Sequence, residues 1–234
     1  MEHNEFVQHW NYFCSLASKL EETKDYIYHG IKEDKTNEFD LIHSGVYSDV
    51  FKQIILLAAS EFEIMSKHLC NTVQKVSSKA NIVKISDVIL KYYPRIIETE
   101  VITLFWVDKP LFNWSIDRTK SKDNETESKV NGLEWWFAYN NIKHNNEDSY
   151  KEATLKNAVL SLAALYIVDL YCMYLQFNDL YILHEYPPKY FTCKYAPQDV
   201  FAAFGELPDF GNKSAVEKYH EMFEDISPSK SNEV

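Results

Sequence analysis

An all-α fold, a bundle of about five helices with an irregular C-terminal arm, is the architecture this sequence predicts. Three observations carry that expectation. Hydrophobic residues make up 46% and aromatic residues 15% of the 234, enough to bury a substantial core. Apolar residues recur at three- and four-residue spacing over several long stretches. Only five glycines and seven prolines punctuate the chain, five of the prolines falling after residue 186, whereas an all-β fold needs many more turn residues.

The elements follow in chain order. Phe6, Trp10, Phe13, Ala17 and Leu20 predict a first helix over 4–28, stopped by Gly30. A polar link runs from Lys32 to Asp40. Ser48 is a good N-cap for a second helix reaching about Val76, with Glu63 and Lys67 as an acid-before-base pair on its solvated side. Glu61 and His68 fall at the edge of that helix's apolar stripe, two turns apart on one side. They either snorkel at the boundary or face the pocket that also receives His144. Ser86 is read as the cap of a short helix ending at Pro94. The run from Glu100 to Val107 is a short strand or a buried extended link with no evident partner strand. Asp117 to Asn131 is polar and reads as an exposed, mobile loop. The most apolar helix spans Tyr150 to about Tyr181. Its run from Ala158 to Val168 is too short for a bilayer before Asp169 interrupts it, so it is read as a central bundle helix, with no membrane partner. On this reading residues 1–185 form the helical domain and 186–234 an irregular arm rich in aromatics and proline.

Charge and cysteine usage narrow the function. A net charge of −11 works against binding long nucleic acids without sequence preference, because such binding neutralises phosphates. Arg95 and Arg118 are the two arginines; lysines carry nearly all the positive charge. Cys14, Cys70, Cys172 and Cys193 are scattered without paired spacing, and no secretory signal opens the sequence, so the expected setting is reducing and cytoplasmic. There is no Gly-rich phosphate loop, CxxC, HExxH or GxSxG. The eight histidines form no ligand pair at metal spacing, so no metal and no cofactor are expected.

The segment richest in chemistry is Leu133 and Glu134 followed by Trp135-Trp136-Phe137-Ala138-Tyr139-Asn140-Asn141-Ile142-Lys143-His144-Asn145-Asn146. At helical pitch Asn140 and His144 lie one turn apart, on the face that carries Leu133, Trp136 and Phe137. Polar groups among large apolar ones need hydrogen-bond partners or a function, and an imidazole transfers protons near neutral pH. The alternative is structural: Asn140, Asn141 and His144 tie the helix end to its neighbours.

YNNIKHNN followed by an Ala-Leu-rich helix resembles the signature helix of HEPN-domain proteins. The segment from Ala59 to Cys70 is similar to that family's acidic second core helix, and the resemblance covers roughly residues 48–180. It implies a compact helical bundle forming a homodimer through the motif helix. It also implies metal-independent endoribonuclease chemistry in a prokaryotic stress, toxin–antitoxin or phage-defence system. Mapped by the motif, Asn140 is the polar residue and His144 the general acid or base. Asn141, Lys143, Glu61 and His68 are supporting residues. Tyr139 stands where the family has arginine, and a neutral phenol stabilises phosphorane charge less well than a guanidinium. Lys143 could supply a charge from the next turn, at about 100° from His144 around the helix. The alternatives are a non-catalytic dimerisation or protein-interaction module, and a regulatory, antitoxin-like partner.

Overall fold

The computed structural model describes residues 1–33, 39–103, 106–120, 126–144, 148–177 and 190–195. Among them the chain is mostly helical, with five α-helices: α1 His3–Glu22, α2 Asp49–Asn71, α3 Ile82–Tyr92, α4 Glu134–Lys143 and α5 Leu155–Phe177. The helical expectation holds in outline, but among the described residues seven short strands also form three small antiparallel sheets.

Helix α5 is the centre. Leu155, Ala158, Val159, Leu162, Ala163, Ala164, Leu165, Ile167, Val168, Leu170, Cys172 and Met173 are all buried, covering every side of the helix. It packs along α2, and α1 and α4 also lie against it. The stretch Leu155–Met173 is long and apolar enough to cross a bilayer by composition alone, yet 89% of it is buried within the fold, as for a core helix of a soluble protein. Its first turn begins at Leu155 rather than Tyr150. There the backbone N–H groups of Leu155 and Lys156 donate to the carbonyls of Val46 and Ser44, at 2.9 and 3.1 Å. Orphan donors of a helix start are thereby satisfied by the link that leads into α2.

Helix α1 opens with a reciprocal capping box between Glu2 and Glu5 and buries Phe6, Trp10, Phe13, Leu16, Ala17 and Leu20. It ends earlier than expected. Thr23 Oγ1 donates to the Leu20 carbonyl at 2.6 Å, and residues Thr23–Asp25 tighten into a 3-10 turn well before Gly30. Helix α2 starts as predicted, the Ser48 side chain accepting from Phe51 N at 3.1 Å. It stops at Asn71, short of Val76, and the Asn71 side chain accepts from the Val76 N–H at 2.9 Å. Helix α3 is capped by Asn81, not Ser86. Ser86 is fully buried inside the helix, where its hydroxyl accepts from Trp114 Nε1 at 2.8 Å.

The strands lie where a link, an isolated run and a loop were expected. β1 Ile31–Glu33 pairs with β2 Phe39–Leu41 across the predicted polar link. β3 Glu100–Thr103 sits between β4 Trp106–Asp108 and β7 Phe191–Tyr195, so the run at Glu100 has two partners. β5 Ser115–Lys120 and β6 Thr126–Asn131 form a hairpin on α3 in place of the mobile loop. Ile116 pairs with Val130, Val130 is buried, and Arg118 forms an ion pair with Asp87 of α3. The hairpin closes onto α4 through Gly132, at φ +79, where a Cβ would lie 1.8 Å from the Asn113 carbonyl oxygen. Both the left-handed backbone and the close approach require glycine there.

Of the expected irregular arm, 191–195 is thus ordered as β7, while 178–189 and 196–234, with the 185/186 boundary, lie outside the described residues. Phe191 is buried against Phe13 and Tyr166, with ring centroids 5.9 and 6.2 Å away. Its neighbour Tyr190 shares a hydrogen bond with His29 Nδ1 at 2.7 Å, and His29 Nε2 meets Thr23 Oγ1 at 2.9 Å. Burial, then the nearby Lys24 charge, pulls the His29 pKa down from 6.5 to about 4. Between those values the unfolded imidazole takes up a proton that the folded one refuses, so acid favours unfolding. The melting temperature should therefore fall as pH drops from 6.5 towards 4, with about 3 kcal/mol at stake for this group. His29→Gln, which retains hydrogen-bonding capacity, should flatten the decline. An unchanged slope in the variant would remove His29 as its source.

Candidate functional site

The motif helix α4 is anchored by its aromatic residues. Trp135 and Trp136 meet Phe62 of α2 at centroid distances of 5.0 and 6.1 Å, and Trp135 Nε1 donates to the Pro110 carbonyl at 3.3 Å. Tyr139 is 2% exposed and stacks beside Trp136 at 5.0 Å. The expected single face of Leu133, Trp136, Phe137, Asn140 and His144 separates by depth. Leu133 and Trp136 are buried, Phe137 and Asn140 are half-buried, and His144 is exposed at the C-terminal cap.

Asn140 Nδ2 donates back to the Trp136 carbonyl of its own helix at 2.9 Å. Asn141 Nδ2 donates to both oxygens of Glu152 at 2.9 and 3.1 Å, tying α4 to the 3-10 turn Ser149–Glu152 that precedes α5. Lys143 Nζ donates to the Tyr139 hydroxyl at 3.0 Å and stands 5.1 Å from the centre of its ring. That hydrogen bond raises the lysine pKa, because it favours the charged form. A cation is therefore held on the phenol at position 139. It comes from the turn below.

Glu61 and His68 meet α1, not the motif helix. Glu61, 7% exposed, pairs with His9 Nδ1, and the ring of half-buried His68 lies 5.9 Å from that of His9. Among the described residues no hydrogen bond, ion pair or ring contact joins Glu61 or His68 to His144. Glu5, one turn before His9, completes a group the linear spacing did not show. One ligand-capable atom from each of Glu5, His9 and His68 lies within 4.8 Å of the others. The sequence holds no histidine pair at metal spacing; this grouping arises only where α1 packs on α2. Burial lowers the His68 pKa, with smaller and opposing effects from Glu5 and His9. An i,i+4 Glu-His pair on α1 was the available signal, but its third member comes from another helix.

Asp169 is another polar group buried in the core. It sits on α5, is fully buried, and neither carboxyl oxygen has a hydrogen-bond partner. Burial, then the charge of Glu61, raises its pKa well above the usual carboxylate range, which favours the protonated form. Cys14 nearby is pushed up to about 12 by burial and then by Asp169, and with Cys70 and Cys172 it is a free thiol rather than a disulfide partner.

No family model, curated protein or solved structure matches the chain. What the sites can do rests on their own residues.

Asp169 has a measurable signature. Because the folded carboxyl holds its proton more tightly than the unfolded one, wild type loses stability through this group as pH rises above about 4. Asn at 169 carries no proton linkage. The stability difference between Asp169→Asn and wild type should move in the variant's favour from pH 4 to pH 7, as read by denaturant midpoints. A difference independent of pH would show that Asp169 is charged in the fold.

Proposed function

We propose that the chain is an HEPN-type, metal-independent ribonuclease-like protein that works as a cytoplasmic homodimer in a prokaryotic stress or phage-defence system, in the manner of a toxin. The observation that carries this reading is the polar end of α4. A helix otherwise packed into the core presents Lys143 and His144 to solvent, with the Lys143 ammonium resting on the Tyr139 phenol. In HEPN-like chemistry His144 takes the proton from an RNA 2′-hydroxyl as that oxygen attacks the adjacent phosphate. The second copy's histidine delivers a proton to the departing 5′ oxygen. General acid–base help of this kind contributes about 10²–10⁴ in rate. Lys143, through Tyr139, provides the positive charge that the family takes from arginine at that position.

A second reading has its own observation. The donor side of Asn140 is used on its own helix and that of Asn141 on Glu152, and the buried Tyr139 phenol cannot itself reach a phosphate. These are features of a structural helix end, and they favour a non-catalytic HEPN-like dimerisation module or an antitoxin-like regulatory partner.

The two readings separate in one experiment. Purified protein is given single-stranded RNA in the presence of EDTA, and cleavage, melting temperature and light scattering are compared for wild type, His144→Ala and Lys143→Met. The catalytic reading expects cleavage without metal, lost by about 10²–10⁴ in His144→Ala. Because His144 is exposed, stability should change by no more than about 0.5 kcal/mol. Lys143→Met should fall in rate while remaining folded and dimeric. Dimeric wild type that leaves every RNA intact would transfer the assignment to the interaction module.

A further inference from the structure

The group formed by Glu5, His9, Glu61 and His68 uses no residue of α4 and has a chemistry of its own. Two imidazoles and a carboxylate converge from α1 and α2, their nearest ligand-capable atoms within 4.8 Å of one another. One imidazole is already oriented: His9 Nδ1 is engaged by Glu61, a nearly buried carboxylate, which leaves Nε2 as the nitrogen open to a ligand. A carboxylate on the far nitrogen of a histidine is the usual partner of a metal-bound imidazole, fixing its tautomer and raising its basicity. Glu5 Oε2 accepts from the Glu2 backbone N–H at 3.3 Å, which leaves its other oxygen as the one to offer a ligand.

We propose that Glu5, His9 and His68 bind a divalent transition-metal ion of the zinc class, with Glu61 holding His9 in place. Imidazole nitrogen suits zinc and its first-row neighbours, whereas calcium and magnesium take oxygen ligands. Zinc bonds of about 2.0–2.1 Å in a tetrahedron set ligand atoms roughly 3.4 Å apart, so the three side chains close by about 1–1.5 Å on binding. Glu5 is exposed and the histidines half-buried, which leaves rotamer freedom for that movement. Three protein ligands leave a fourth position for water or a small ligand, as in catalytic rather than closed structural zinc sites. One of the three ligands, His68, also borders open space. A cleft of about 360 Å³ is lined by His68 together with Met1, Asn71, Thr72, Leu175 and Gln176. Gln176, in that lining, donates from Nε2 to the His68 backbone carbonyl at 3.2 Å, and its Oε1 is buried without a hydrogen-bond partner.

The site is tested on the full chain without a histidine tag, by equilibrium dialysis against Zn²⁺ and by the visible spectrum of added Co²⁺. Wild type should bind one ion per chain with a four-coordinate cobalt spectrum. At free zinc about 100 times Kd the melting temperature should rise by roughly 5–10 °C. Glu5→Gln and His68→Ala should each weaken binding at least tenfold. Glu61→Gln, which keeps all three ligands, should weaken it by about 10–100-fold. His3→Ala, on the same helix, should bind as wild type does. Circular dichroism without zinc establishes that each variant is folded, and Glu5→Gln, at an exposed position, carries the test if His68→Ala is not. A wild type that binds no zinc, or a folded Glu5→Gln that binds with wild-type affinity, overturns the assignment.

Discussion

The enclosure of α5 is the constraint from which the other arrangements follow. A helix apolar on every side cannot lie on a surface; it must be surrounded. Helix α2 supplies the longest wall, and α1 and α4 add two more. Phe191 of β7 fills space between α1 and α5 through its contacts with Phe13 and Tyr166. Burial on this scale is worth about 1.5–3 kcal/mol for each large side chain. That surplus is what allows a carboxyl, Asp169, to sit in the same core without a hydrogen bond. The protonated state is the least costly form such a carboxyl can take.

Phe62 connects that enclosure to the motif helix. Its ring touches Trp114, Trp135 and Trp136, three indoles from two separate stretches of chain, at 5.8, 5.0 and 6.1 Å. Both Trp114 and Trp135 then find acceptors for their N–H groups, in Ser86 and Pro110. A large aromatic with a satisfied polar tip fixes rotation as well as depth. The rotation of α4 is therefore determined inside the core, and the placement of Lys143 and His144 at its outer end follows. The buried Tyr139 also explains why arginine would be poorly housed here. Its guanidinium would have to replace a phenol packed on Trp136 and share that place with Lys143.

The helices were legible in the sequence because their stripes are local. Phe6 through Leu20 and Val50 through Leu69 repeat at helical spacing, and Ser48 announces its own cap. Their ends were less legible. Thr23 closes α1 with a side-chain hydrogen bond that no apolar pattern encodes. The strands escaped for two different reasons. In the hairpin, polar and charged residues surround the Ile116–Val130 pair, so there is no run of alternating hydrophobicity to see. For β3, one partner lies close by but the other is β7, across most of the remaining chain. The same limit applied to the sites. The motif helix is contiguous and was visible; His9 and Glu61 are 52 residues apart, and only the packing of α1 on α2 brings them together.

The position of β7 bears on how this protein is made. Residues 191–195 complete the sheet around β3, and Phe191 closes a part of the core whose other walls are built from α1 and α5. During synthesis those walls emerge first and wait. Until Phe191 leaves the ribosome, Phe13 and Tyr166 lack a neighbour and β3 has a bare edge. Exposed aromatics beside an unpaired strand are features that favour self-association. The nascent chain thus carries that exposed surface until β7 arrives, and a chaperone holding it through that interval would shield the surface that Phe191 later covers.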